Sequence, residues 1–237
     1  MWKCPPQSVL VPVDFSDASA RALGLAGLVA SAFDAGLVAL HAETLEAPPY
    51  FTHDQIDALE RERQVARASG LQFVVGFAAK QTAYAVQATV VERPPAEAIL
   101  EATRSSDLVI MGTHGRRGPS RWWLGSVAER VVRDATIPVL VMRADAPATT
   151  ETFAKIQLLA HRGATLIAAR QWADLFASTF GGQVSEAGDT DACDPASIQQ
   201  ASLAVVAVPM EHSARGVAES IAHLLRRCTR PVLFVPA

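Results

Sequence analysis

Cysteine is scarce in this chain. Cys4, Cys193 and Cys228 stand far apart, with no CxxC pair. That usage argues against a disulfide framework or a zinc site and makes a reducing cytoplasm the natural compartment. Charge of one sign is lacking too: 21 Lys and Arg face 24 Asp and Glu, for a formal net charge of -3. With neither half strongly biased, no electrostatic footprint for nucleic acid or an anionic membrane is present. Apolar runs such as Ala22 to Phe33 fall far short of the roughly 20 residues that cross a bilayer. The opening Met1-Trp2-Lys3-Cys4-Pro5-Pro6 has no apolar core of the kind a signal peptide carries. A soluble protein without membrane or nucleic-acid partners is expected.

The chain does have enough apolar residues, half of 237, for one large or two modest cores. Val9 to Val13 reads as a buried strand, followed by the turn signal Asp14-Phe15-Ser16-Asp17 and a helix over Ala18 to Phe33. Gly36 is expected to end that helix before a second buried strand, Leu37 to Ala42. A helical stretch from Thr52 to Lys80 is interrupted in pattern by Gly70 and Gly76. Ala85 to Val91 is strand-like, and Pro94-Pro95-Ala96-Glu97 opens a helix to Thr103. Apolar strands alternating with helices predict a parallel sheet covered on both faces. Ligands of such sheets bind beyond the carboxyl ends of the strands, where strand order reverses.

The most informative stretch is Val109 to Arg143: a buried strand, a glycine loop, a helix and a second buried strand, Val139 to Met142. Its loop carries Gly112-x2-Gly115-x9-Gly125-Ser126. A strand that ends in glycines and feeds a helix offers main-chain N–H groups and a positive dipole end to phosphate. A plainer reading stands beside this one, an ordinary glycine loop in which Ser126-Val127-Ala128-Glu129 forms a capping box. Asp14 could bind a nucleotide or cap its own turn. His114 could meet phosphate or ribose, or solvent; Arg116, Arg117 and Arg121 could neutralise phosphate, or be solvated loop charges. Trp122-Trp123 suit a nucleotide cover, an oligomer contact or the protein's own core, and His41 reads as a satisfied core histidine.

Ala144 to Ala154 is small, polar and proline-containing, a linker by composition. Beyond it the pattern recurs in shortened form, with strands at Ile156 to Ala160, Gln183 to Ala187, Leu203 to Val208 and Val232 to Val235. Helices are expected at Ala164 to Phe180, at Pro195 to Ala201 and up to Cys228. The two endings align, Ile137-Pro138-Val139-Leu140-Val141-Met142 against Arg230-Pro231-Val232-Leu233-Phe234-Val235. In that alignment Ala207 and Met210 replace Gly112 and Gly115, Ala218 and Glu219 replace Gly125 and Ser126, and His161 replaces Asp14. Side chains at the glycine positions and a carboxylate at the helix entry would shut phosphate out.

These residues resemble the universal stress protein family, as a tandem member whose second copy is degenerate. The resemblance rests on Leu10-Val11-Pro12-Val13-Asp14-Phe15-Ser16, Pro95-Ala96-Glu97-Ala98-Ile99-Leu100 and the glycine signature from Gly112 to Ser126. It implies an α/β fold of two Rossmann-like, adenine nucleotide alpha hydrolase-like units. The first would be a five-stranded parallel sheet of order 3-2-1-4-5 and the second a shortened one. The units would span 1–146 and 155–237, joined by 147–154. The resemblance also implies ATP, or ADP or AMP, with Mg2+ accompanying it. Pro12, Val13 and Asp14 would line adenine and ribose, and Ala42 would meet the adenine edge. Met111, Gly112, His114 and Gly115 would wrap ribose and phosphates, while Gly125, Ser126 and Val127 would hold the phosphates. Arg93 departs from the glycine often found there.

Three functions compete. The leading one is a nucleotide-binding stress-response regulator whose first unit alone holds the ligand. The second is an ATP hydrolase or adenylyl- or phosphoryl-transfer enzyme, and whether the chain is an enzyme at all stays open. Against it, Asp14-Phe15-Ser16-Asp17 stands where such enzymes carry His-x-Gly-His or Ser-Gly-Gly-x-Asp-Ser. The third is a nucleotide-free scaffold. The apolar last strands are expected to pair antiparallel within the chain as a pseudo-dimer. Whether two chains then associate as a homodimer is left open.

Overall fold

The computed structural model describes residues 2–44, 67–113, 125–160, 165–186, 198, 200–209 and 229–236. Nine strands form one sheet: β1 (Ser8–Pro12), β2 (Gly36–Glu43), β3 (Val86–Glu92), β4 (Leu108–Gly112), β5 (Val139–Met142), β6 (Lys155–Ala160), β7 (Gln183–Glu186), β8 (Leu203–Val208) and β9 (Val232–Pro236). Their spatial order is β3-β2-β1-β4-β5-β9-β8-β6-β7. All neighbours run parallel except β5 and β9, which meet antiparallel, Leu140 opposite Leu233. The first five strands take the order 3-2-1-4-5. The two sheets expected from the sequence are therefore one mixed sheet.

Alternation along each strand sends successive side chains to opposite faces. Val9 and Val11 join one core with α1 (Asp17–Phe33) and α5 (Ile167–Phe180). Leu10 joins the other, with α3 (Pro95–Ala102) and α4 (Ser126–Asp134). Helical residues 67–79, α2, pack Val74 and Ala78 onto the first core and run through both Gly70 and Gly76. Both cores continue across the β5–β9 seam. Trp2 lies 5.9 Å from Trp172, and Phe33 lies 6.2 Å from Phe176, ring centre to ring centre.

One helix end differs from the sequence reading. Asp34, in the left-handed region (φ 51°), ends α1, and Gly36 is already the first residue of β2. An aspartate tolerates that conformation because its short polar side chain offsets the steric cost. The presumed linker is also packed rather than free. Thr150–Phe153 form a 3-10 turn, Thr152 Oγ1 donates to Pro147 O at 2.7 Å, and Phe153 is fully buried, stacked 4.3 Å from Phe180.

The internal repeat is visible in hydrogen bonds. Gly36 N donates to Gln7 O and Gln183 N to Ala154 O; Asp107 N donates to Ser8 O and Ser202 N to Lys155 O. Val109 N reaches Pro138 O as Ala204 N reaches Pro231 O. Strand register agrees: Gly112 sits beside Met142, and Ala207 beside Val235. The sequence alignment of Ala207 with Gly112 is the one the sheet adopts.

Candidate nucleotide site

At the carboxyl end of the first five strands, β1 leads to α1 on one face of the sheet and β4 to α4 on the other, the switch point at which sheets of this kind form a crevice. β1 continues past Pro12 as Val13, whose N–H donates to Leu40 O at 2.8 Å. Leu40 therefore directs its main-chain groups toward β1. Ala42, two residues on, turns its N–H and C=O to that same side. Among the described residues no main-chain bond joins Ala42 to β1; Val13 O accepts from His41 Nδ1 at 2.7 Å. His41 is thus a bonded, half-buried histidine, as its place in an apolar strand suggested.

Asp14 follows, half-buried. Its Oδ1 accepts from Ser16 N (3.1 Å) and Ser16 Oγ (2.6 Å), and among the described residues Oδ2 takes no hydrogen bond. Ser16 in turn caps α1, its Oγ accepting from Ser19 N at 3.2 Å. One carboxylate oxygen thus serves the turn. Phe15 sits at φ 62°, a left-handed conformation that costs a non-glycine residue roughly 1–2 kcal/mol. Its ring is held 4.7 Å from that of His41 and edge-on, 5.4 Å, to Phe77 of α2.

Across the crevice, β4 ends at Gly112, beside buried Met111 and Thr113. A Cβ on Gly112 would lie 2.6 Å from Ala18 Cβ and 3.0 Å from Ala18 C, so this glycine lets the first turn of α1 close on the strand. Thr113 N donates to Met142 O (2.9 Å) and Gly125 N to Thr113 O (2.8 Å). The second of these bonds places the start of α4 beside the end of β4.

Gly125 is the N-cap of α4, and Ser126 is its first helical residue. The capping box expected of Ser126 and Glu129 is therefore not formed: Ser126 lies one position too far into the helix. Gly125 offers no side-chain cap, and Glu129 N donates to Gly125 O at 3.0 Å. The N–H groups of the first turn have no intrahelical partner and sit at the positive end of the helix dipole. Gly125 has φ -66° and ψ 135°, which any residue adopts, so backbone conformation does not explain the glycine. Ser126 is exposed and Val127 half-buried.

The structure thus brings Pro12, Val13, Asp14, Ala42, Met111 and Gly112 to the carboxyl ends of β1, β2 and β4, with Gly125 at the start of α4 tied to the end of β4 and Ser126 and Val127 following it in the first turn. His114, Gly115, Arg116, Arg117, Arg121, Trp122 and Trp123 lie outside the described residues, as do His161, Met210, Ala218 and Glu219. Sequence reasoning missed the Phe15 and Phe77 contacts, since a left-handed phenylalanine leaves no mark in composition or spacing. Arg93 pairs with Glu101 on the surface. Among the described residues no group of three His, Cys, Asp or Glu side chains could hold a metal ion, and no helix is long and apolar enough to cross a membrane.

Comparison with known proteins gives four findings. A family model described as the universal stress protein family matches residues 6–143. A universal stress protein of Methanocaldococcus jannaschii is 30% identical over 141 residues, 58% of this chain and 82% of that protein. One of Mycolicibacterium smegmatis is 34% identical over 137 residues, but these are 57% of this chain and 45% of that longer relative. In fold, the chain is similar over nearly its whole length to the crystal structure of a universal stress protein from Archaeoglobus fulgidus. The TM-score is 0.65 with 97% of this chain and 96% of that one covered, at 17% identity.

Proposed function

The chain belongs to the universal stress protein family, and from that premise we propose that residues 1–146 bind an adenine nucleotide whose presence or absence is the regulatory output in a cytoplasmic stress response. The observation that carries this reading is the uncapped start of α4, tied by Gly125 and Thr113 to the end of β4 at the switch point of the sheet. An uncapped helix start of this kind offers N–H donors to phosphate at no rearrangement cost. Gly125, Ser126 and Val127 would hold the phosphates, with Gly115 and His114 from the adjoining loop. Met111, Gly112 and Asp14 would flank the ribose. Pro12, Val13 and the main chain of Ala42 would meet adenine, for which an adjacent N–H donor and C=O acceptor are complementary.

Residues 155–237 form a shortened unit that holds no nucleotide, and 147–154 join the two. The antiparallel β5–β9 pairing supports reading the two units as an internal pseudo-dimer, on which association of two chains would build. Mg2+ would arrive with the nucleotide rather than at a protein metal centre. Titration calorimetry of the full chain with ATP, ADP and AMP, with and without Mg2+, tests the reading. One site per chain is expected. No heat, or two sites, overturns it, and a turnover assay on the same sample separates binding from slow hydrolysis.

A further inference from the structure

His41 and Phe15 touch the proposed site from behind and have so far been given no part in it. Because a carbonyl only accepts, the 2.7 Å contact of His41 Nδ1 with Val13 O requires the proton on Nδ1. That bond supplies Val13 O with a side-chain donor where a continuing parallel ladder would use the N–H of Ala42. Val13 is thereby fixed at both main-chain groups, N–H to Leu40 and C=O to His41. The next residue is Asp14, and the one after it is the left-handed Phe15, whose ring packs on the ring that makes the bond and on Phe77. A strained backbone persists only where its surroundings over-determine it. Here the His41 and Phe77 rings do so.

We propose that His41 is a positioning residue for the nucleotide site. By taking Val13 O it frees the main chain of Ala42 toward the crevice, and through Phe15 it holds the Asp14 turn in place. The proposal rests on the nucleotide reading and adds a route from the site to α2, through Phe15 and Phe77.

Calorimetric titration of the full chain with ATP tests it, alongside the thermal midpoint of each variant. His41→Phe keeps a ring beside Phe15 but loses the donor, so ATP affinity should fall about 10-fold. His41→Asn places an amide N–H close to where Nδ1–H stood, and affinity should return to within about threefold of wild type. A merely structural histidine would give affinities that follow the thermal midpoints, without this split. Phe15→Gly accepts the left-handed turn but removes the ring between His41 and Phe77, and should weaken ATP about threefold or more. Wild-type affinity in His41→Phe, or no recovery in His41→Asn, overturns the role of His41 while leaving the nucleotide reading intact. Wild-type affinity in Phe15→Gly removes the ring clamp. Absence of ATP binding by the wild-type chain overturns both readings together.

Discussion

The two halves of the sheet repeat the same main-chain hydrogen bonds at Gln7 and Ala154, Ser8 and Lys155, and Pro138 and Pro231. They part company where the first strand of each hands over to its helix. In the front half only residues 13–16 separate β1 from α1, whereas residues 161–166 separate β6 from α5. The short crossing presses Ala18 against the end of β4 and leaves room only for Gly112. At the matching rear position, Ala207 carries a methyl group and is fully buried. The difference teaches that one glycine signature serves two separate ends. Gly112 is needed by helix packing, and Gly125, unconstrained in φ, is the position whose bareness the nucleotide proposal depends on.

Four substitutions sharpen or break that contrast, from the largest effect to the smallest. Phe153→Ala removes a fully buried ring packed on Phe176 and Phe180 of α5 and should cost about 3–5 kcal/mol of unfolding free energy by chemical denaturation. A loss under about 1 kcal/mol would return residues 147–154 to the status of a loose tether. Gly125→Asp gives α4 a good cap and faces phosphate with a carboxylate. Losing two charge-assisted bonds of about 1.5 kcal/mol each predicts roughly 100-fold weaker ATP with stability kept or raised. Undiminished binding would sink the site.

Gly112→Ala should destabilise the fold by about 1–3 kcal/mol through overpacking against Ala18, and adding Ala18→Gly should recover part of it. Strict additivity in that cycle would mean the two residues do not press on each other. Arg93→Ala, at the position that departs from the family's frequent glycine, breaks an exposed ion pair and should change stability by less than about 0.5 kcal/mol.

Much of the fold was legible because buried parallel strands are short apolar runs between turn signals: β1, β4, β5, β8 and β9 all read that way. The repeat was legible from the shared Pro-Val-Leu endings, and the register of Ala207 with Val235 agrees with it. What the residues hid were effects of close approach. Phe153 looks like one apolar residue in a polar linker until its neighbours Phe176 and Phe180 arrive from a later helix. The capping box at Ser126 failed by a single residue, since the motif fixes a spacing but not which position starts the helix. The left-handed turn at Phe15 is invisible in sequence because glycine or asparagine would be the usual signal there.

The antiparallel seam has a geometric corollary. Since β9 runs opposite to β5, every rear strand points its carboxyl end toward the rim of the sheet where the front strands begin. The carboxyl ends of β1 and β4 and those of β6 and β8 therefore lie on opposite rims of one sheet, so the two halves present their strand ends in opposite directions rather than face to face.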